Sequence, residues 1–269
     1  MQTLSDTRTL TGFELRRAFA GGRVLAISAL FLLGVAALAW ALTRMHVSAP
    51  DEALEHMRPQ LIATLLGTTL EGAEPWADFP LALLATVRVV FWLLPALVAL
   101  LGFDQLSQEL DTRSVRYFTL RVRRSAVLIS KLLAQSALVA GLLALAALAA
   151  WVWLVGAFEL PVQQAGVGVL RLWAALFASS LPPVVWTAFC SGLTRSAPLA
   201  LALALMLSFV FWVVALANAS WMPEWLTPSG WGIRLLRSPT EALSALGVLL
   251  AHAIAMGIIV WRHWERRPL

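Results

Sequence analysis

Six long apolar runs, separated by short charged stretches, dominate the pattern of hydrophobic and polar positions along this chain. Each run reaches or exceeds the roughly 20 residues that an α-helix needs to cross the hydrocarbon core of a bilayer. Four of the runs contain no Asp, Glu, Lys or Arg, and the other two contain one arginine each. The pattern therefore predicts six transmembrane helices, over residues 24–43, 79–103, 132–158, 167–194, 196–220 and 242–261.

Shorter patterns lie between these runs. Residues 51–66 follow Pro50 with an acidic start and predict a helix. The connection over residues 221–241 is rich in Trp, Pro and Gly, which indicates interfacial or re-entrant pieces. It ends in Ser238-Pro239-Thr240-Glu241, where a capping serine, a proline at the first helical position and a glutamate predict the start of the last helix.

Composition agrees with a membrane protein, because 60% of the 269 residues are hydrophobic, only 13% are charged and the mean hydropathy is +0.79. The net charge of +5 does not indicate nucleic-acid binding, since the basic residues lie between the apolar runs rather than on one face. With six spans, 14 Lys and Arg fall on the side of the termini and four on the other. The positive-inside rule then predicts cytoplasmic termini. The location that we expect for this multi-pass protein is a bacterial inner membrane.

Polar and helix-breaking residues inside the runs are candidates for a substrate pathway. Arg88 and Arg171 lie toward the ends of their runs and can either anchor at the membrane interface or handle substrate. Pro95 and the pair Pro182-Pro183 remove backbone donors, so they favour kinks that serve either as gates or as packing features.

His252 is the ionisable group nearest the middle of the sixth run. Intramembrane ionisable residues are functional candidates by default, but no second histidine or carboxylate lies in the runs to pair with it. A neutral packing histidine is the alternative. His46 and His56 are too few and too far apart to predict a metal site, and the lone Cys190 predicts no intrachain disulfide.

The connection between the second and third runs carries the most specific pattern. Residues 102–131 read GFDQLSQELDTRSVRYFTLRVRRSAVLISK, with apolar and basic positions interleaved at helical spacing. A solvated basic loop is one interpretation, and a surface for a partner or the membrane is the other. This connection resembles the one between the second and third spans of the ABC-2 type permeases. The resemblance is carried by Glu109, by Arg113-Ser114-Val115-Arg116-Tyr117 and by the later basic residues Arg121, Arg124 and Lys131. The chain departs from that pattern by lacking its proline and by placing Ser130 before Lys131.

The resemblance implies an all-α permease domain over residues 23–269, preceded by a cytoplasmic segment, residues 1–22, with an interfacial elbow helix at residues 10–20. It also implies a second permease subunit, identical or related, and separate ATPase subunits on the cytoplasmic face that bind ATP and Mg²⁺. A coupling helix would dock on the ATPase. The implied ATPase contacts are Glu109, Thr112, Arg113, Arg116, Tyr117, Arg121 and Arg124.

The sequence contains no phosphate-binding GxxxxGK[ST] loop, and its single lysine, Lys131, follows a serine. We therefore expect a non-catalytic exporter subunit that binds no cofactor and depends on another protein for ATP hydrolysis. A secondary transporter or channel is the alternative, but the six runs hold no carboxylate for ion coupling. A membrane-embedded enzyme would need paired catalytic groups at one depth, and His252 is unpaired in sequence.

Overall fold

A computed structural model describes residues 2–47, 51–67, 70–112, 122–217 and 228–266, and within these ranges every regular element is a helix. The elements are α1 Gln2–Ala20, α2 Arg23–Val47, α3 Asp51–Leu66, α4 Leu70–Ala73, the 3-10 helix Glu74–Trp76, α5 Leu81–Gly102, α6 Ser107–Asp111, α7 Arg124–Ala157, α8 Val162–Leu193, α9 Ala197–Ala217, α10 Pro228–Arg234 and α11 Pro239–Arg266.

Five helices are long and apolar enough to cross a membrane, and they correspond to the first, second, third, fourth and sixth predicted runs. The chain is therefore a multi-pass helical membrane protein. Helix α9 follows the predicted fifth run, but its apolar stretch within the described side chains, Ala197–Val213, is shorter than a span. The fifth span, and with it the count of six, stays a prediction.

Helix α8 lies at the centre of the bundle, in contact with α5, α7, α9 and α11. In the apolar stretches of α8 and α5, 61% and 56% of residues are buried, whereas in α2 only 6% are. The side chains of Leu30, Leu33 and Trp40 on α2 are mostly exposed. Because apolar side chains on the periphery of a membrane bundle face lipid, α5 and α8 form the interior and α2 a lipid-facing edge.

Several helices extend beyond the predicted runs. Helix α7 begins at Arg124 rather than at residue 132, α8 at Val162 rather than at 167, and α11 continues to Arg266 rather than to 261. The prediction placed most run ends beside a charged residue, but a helix continues into the interface wherever its polar side chains find water or partners. The predicted helix over residues 51–66 is confirmed as α3.

Two helix starts follow directly from local sequence. Gly22 has φ of +66°, a left-handed conformation that glycine adopts without strain, and it separates α1 from α2. Helix α11 begins at Pro239, and the Ser238 hydroxyl accepts the backbone N–H of Glu241 at 3.4 Å, as the capping pattern predicts.

The bundle has two ends, which we call the Lys131 end and the Trp76 end. At the Lys131 end, the first turns of α7 meet α1, α6 and the end of α11. At the Trp76 end, the 3-10 helix meets α8 and the turn that follows α10. Between the two ends, Gly232 of α10 packs so closely on Phe91 of α5 and Ser179 of α8 that a Cβ there would overlap both side chains. Helix α10 therefore inserts among the long helices.

Candidate functional site

The Lys131 ammonium group is the centre of a buried cluster of charges. Its side chain is only 2% exposed, and its Nζ lies 2.7 Å from a Glu109 carboxylate oxygen and 2.9 Å from a Glu14 carboxylate oxygen. Arg17 adds a longer contact, 3.5 Å, to the same Glu109 oxygen. Burying an ion costs several kcal/mol, so such a group is stable only with close opposite charges and hydrogen bonds. Here two carboxylates surround one ammonium group.

Helix α1 contributes to this cluster through one face. Thr11, Glu14, Arg17 and Ala18 fall at positions i, i+3, i+6 and i+7, which places them on the same side of a helix. The Thr11 hydroxyl lies 3.5 Å from the Ser130 carbonyl oxygen, one residue before Lys131. The N-terminal helix is thus fixed along the first turns of α7 by polar contacts.

Glu109 is held in place from a third direction by α8. The Ser191 hydroxyl oxygen accepts the backbone N–H groups of Leu106 and Ser107, at 2.9 and 3.0 Å, and so caps the first turn of α6. Leu106 and Leu110 pack with Leu128 in an apolar cluster. The short helix that carries Glu109 is therefore fixed to the bundle on both its polar and its apolar faces.

A second ion pair joins the start of α2 to the segment after α5. The Arg23 guanidinium donates two hydrogen bonds to the Asp104 carboxylate, at 2.5 and 2.8 Å, and lies 4.7 Å from the centre of the Phe103 ring. Next to it, Gln135 of α7 donates to the Val98 carbonyl oxygen at 2.9 Å. Gly102 makes room for that amide, because a Cβ at residue 102 would overlap it.

These groups surround a cavity of about 420 Å³ between α1, α2, α5 and α7. Its wall includes Glu14, Arg17, Arg23, Asp104 and Lys131. Of these five charges, three are positive and two negative, and each positive group has a carboxylate within 3.5 Å. The charges therefore largely neutralise one another. The cluster is suited to joining helices that move together rather than to binding a strongly charged ligand.

The nine residues 113–121 lie outside the described part of the chain, and so do the predicted contacts Arg113, Arg116, Tyr117 and Arg121. The residues on either side of them are fixed. Before them, Glu109 binds Lys131 and the Thr112 hydroxyl donates to the Gln108 carbonyl oxygen.

After these nine residues, the Arg124 guanidinium donates to the Glu265 carbonyl oxygen at 3.2 Å, and the Trp264 indole donates to the Arg124 carbonyl oxygen at 3.1 Å. Trp264 is 1% exposed. Residues 113–121 thus connect two anchored points, one on α6 and one at the junction of α7 with α11.

Three predicted ATPase-contact residues can be placed. Glu109 is 2% exposed, so it supports the structure around Lys131 rather than offering a side chain to a partner. Thr112 is exposed, at the last described position before the nine residues. Arg124 is half-buried and bound to α11. Of these three side chains, that of Thr112 is the one exposed enough to meet a docked protein.

The predicted pathway residues lie on three helices: Arg88 and Pro95 on α5, Pro182 and Pro183 on α8, and His252 on α11. Arg88 of α5 is half-buried and lies 5.8 Å from the centre of the Trp92 ring, which packs edge-on against Trp212 of α9. Helix α5 continues through Pro95, and α8 continues through the buried Pro182 and Pro183.

His252 lies on α11 and faces α8 and α9. Its Nε2 accepts a hydrogen bond from the Trp186 indole at 3.1 Å, so Nε2 carries no proton in this arrangement. The Trp186 ring also stacks on Phe211, with ring centres 4.2 Å apart. The histidine is therefore part of an aromatic cluster that joins three helices.

The sequence did not predict that Lys131 pairs with Glu109 and Glu14. It also assigned no role to Arg23, Asp104 and Ser191. One signal was present: Glu14 and Arg17 share a helix face and Lys131 is the single lysine. Within the described residues, no group of three or more His, Cys, Asp or Glu could hold a metal ion. A scan against protein-family models and a search of curated proteins each return no match.

Proposed function

We propose that this chain is the membrane-spanning subunit of an ATP-driven exporter of the ABC-2 type, which works as a dimer with a second permease subunit. Separate ATPase subunits bind ATP and Mg²⁺ and dock on its cytoplasmic face. The proposal rests on the sequence resemblance over residues 109–131. It is supported by the ion pairs of Glu109 and Lys131, which join α6 and α7 to each other and to α1.

In this proposal α9 completes six spans, because its 21 residues extend about 31 Å at 1.5 Å per residue, close to the thickness of the hydrocarbon core. The Lys131 end is cytoplasmic and the Trp76 end faces outward. Helix α1 lies along the cytoplasmic interface as the elbow helix, with Phe13 and Phe19, both about half exposed, directed to lipid.

The carrying observation is the bond between Glu109 and Lys131. It fixes the residue that precedes the proposed coupling segment to a point two turns inside α7. A docked ATPase that pulls on residues 112–121 therefore acts on α7 through Lys131, on α1 through Glu14 and on α11 through Arg124. Because the Glu109–Lys131 link is short and buried, displacement of the loop is transmitted to α7 rather than absorbed by loose side chains.

Docking can be tested by cross-linking from a single engineered cysteine. The native Cys190 is buried and is first replaced by serine. Thr112→Cys is then expected to cross-link to an ATP-binding protein in membranes of the native host. Gln60→Cys, on the exposed part of α3 at the Trp76 end, is the matched control and is expected to capture none.

The same two variants test the orientation, since a membrane-impermeant thiol reagent on intact cells should label the Gln60→Cys chain and leave the Thr112→Cys chain unlabelled. A folded Thr112→Cys chain that captures no ATP-binding protein would overturn the ABC assignment. In a second test, Arg116→Glu is expected to reduce co-purification of the ATPase at least tenfold, while Arg8→Glu, an exposed arginine of α1, leaves it unchanged.

A further inference from the structure

A larger cavity, of about 1040 Å³, lies at the Trp76 end of the bundle. Its walls are α8, the first turns of α11, the turn before α11 and the segment around α4. It is separate from the ion-pair cluster, which occupies the Lys131 end. A volume of this size is at the upper end of the range found for small-molecule sites in proteins.

The cavity has a charged rim. The Arg237 guanidinium already has close partners, because it bonds to Glu241 at 3.1 Å and to the carbonyl oxygens of Leu66 and Gly67. Arg171 is held less closely: among the described residues its guanidinium makes two long hydrogen bonds, 3.4 and 3.3 Å, to the carbonyl oxygens of Leu236 and Arg237. Within the described residues, no carboxylate lies within 4 Å of Arg171. Its positive charge is therefore available to an anionic group.

Below the rim the cavity becomes apolar. Arg171, Ala174, Ala175 and Ala178 follow one stripe of α8, so the alanines extend about 10 Å deeper than the arginine. Leu243 and Leu246 of α11 form the facing wall and are 73% and 36% exposed. Because exposed leucines on a membrane helix face lipid, this wall is continuous with the hydrocarbon of the bilayer.

The position of Arg171 is also fixed from behind. Its guanidinium lies 5.1 Å from the centre of the Trp76 ring, and Trp76, which is 1% exposed, donates its indole N–H to the Leu236 carbonyl oxygen at 3.1 Å. The planar guanidinium has several N–H donors, a geometry that suits the oxygens of a phosphate. The charge is thus held at the junction between an aqueous rim and an apolar slot.

We propose that this cavity binds one glycerophospholipid, with the phosphate on Arg171 and an acyl chain in the slot between α8 and α11. The exposed Glu71, which also lines the cavity, can accept a hydrogen bond from a headgroup amine. The two parts of the cavity match the two parts of such a lipid, an anionic headgroup and an apolar chain. The site goes beyond the proposed exporter function and does not depend on an ATPase.

The test is native mass spectrometry of the purified full chain in detergent. Palmitoyl-oleoyl phosphatidylethanolamine and phosphatidylglycerol are each titrated, with dioleoylglycerol as the probe that lacks a phosphate. The chain is expected to retain one phospholipid and to bind dioleoylglycerol at least tenfold more weakly. Arg171→Gln should weaken phospholipid binding about tenfold, since it removes a charge-assisted hydrogen bond. Arg171→Lys should weaken it less.

A second variant separates binding from folding. Leu243→Trp fills the slot and leaves Arg171 intact, so it should also abolish the bound lipid. Leu250→Trp, two turns further along α11, exposed and outside the cavity, should retain it. Equal lipid retention by wild type, Arg171→Gln and Leu243→Trp would overturn the proposal. So would displacement of the lipid by millimolar inorganic phosphate, because the rim alone would then be the site.

Discussion

The two ends of the bundle use their charged residues in different ways. At the Lys131 end, ammonium, guanidinium and carboxylate groups pair with one another over 2.5–3.5 Å. At the Trp76 end, arginines bind mainly backbone carbonyl oxygens: Arg171 binds those of Leu236 and Arg237, and Arg58 binds that of Phe79. At the Lys131 end, side-chain pairs join one helix to another. At the Trp76 end, arginine side chains cap the carbonyl oxygens of irregular backbone.

This difference has consequences for how each end tolerates change. Removing one partner of a buried ion pair strongly destabilises the fold, because the remaining charge is left in an apolar environment. An arginine that caps carbonyl oxygens can be lost at smaller cost, since a neutral carbonyl is less expensive to leave unsatisfied than a carboxylate. The ion pairs at the Lys131 end are thus suited to transmitting force between helices. The arginines at the Trp76 end are suited to fixing the shape of the irregular backbone at the surface.

The largest effect is expected from Lys131→Met. It leaves Glu109 and Glu14 without their ammonium partner, and we expect a loss of about 3–5 kcal/mol in the free energy of unfolding. Thermal unfolding of the detergent-solubilised chain measures it. Adding Glu109→Gln should recover part of the loss, because it removes the buried charge. An unchanged melting temperature for Lys131→Met would show that the cluster carries no stability.

Gly232→Ala tests the close packing of α10 in the middle of the bundle, between the two ends. The added Cβ would overlap Phe91 and Ser179, so we expect a loss of about 1–3 kcal/mol from overpacking. Gly247→Ala on α11 is the control, since nothing lies within 4 Å of a Cβ there, and helix propensity should make it neutral or slightly stabilising. Similar melting temperatures for the two variants would contradict the inserted position of α10.

Arg171→Met tests the Trp76 end. It removes two long hydrogen bonds to carbonyl oxygens and a cation–ring contact, and we expect a loss of about 1–2 kcal/mol. The same unfolding measurement applies. If this variant is as unstable as Lys131→Met, the contrast between the two ends fails.

The smallest effect is expected from Arg17→Gln. Arg17 is 44% exposed and its contact to Glu109 is 3.5 Å long, so its loss should cost less than about 1 kcal/mol. Raising the salt concentration should reduce even this difference, since an exposed ion pair is screened. A cost above about 2 kcal/mol would place Arg17 in the buried core of the cluster instead of at its rim.

Much of the fold could be predicted from run lengths alone. The sequence predicts α2, α5, α7, α8 and α11 as apolar helices, and their centres agree with the structure. The starts and ends agree less well, because the prediction ended most runs beside a charged residue. Lys131 shows why that fails: it lies two turns inside α7, where Glu14 and Glu109 compensate its charge.

The candidate site could be predicted only in part. The sequence marks a charged segment between two spans that contains Glu109, Thr112, Arg124 and Lys131. It does not show the pairing: Glu14 and Glu109 lie 117 and 22 positions from Lys131, and Glu265 lies 141 positions from Arg124. Separation of that kind leaves no periodic signal. His252 likewise has its partner, Trp186, on another helix.

By itself, the sequence determined that this protein lies in a lipid bilayer and that its secondary structure is helical. Apolar runs of about 20 residues can only be helices in a bilayer, because lipid offers no hydrogen bonds to the backbone. Only the tertiary structure decided which charges are buried together, that Glu109 supports a cluster instead of a surface, and that Arg171 ends beside a slot. Those outcomes depend on which helix faces meet, and short-range periodicity does not specify that.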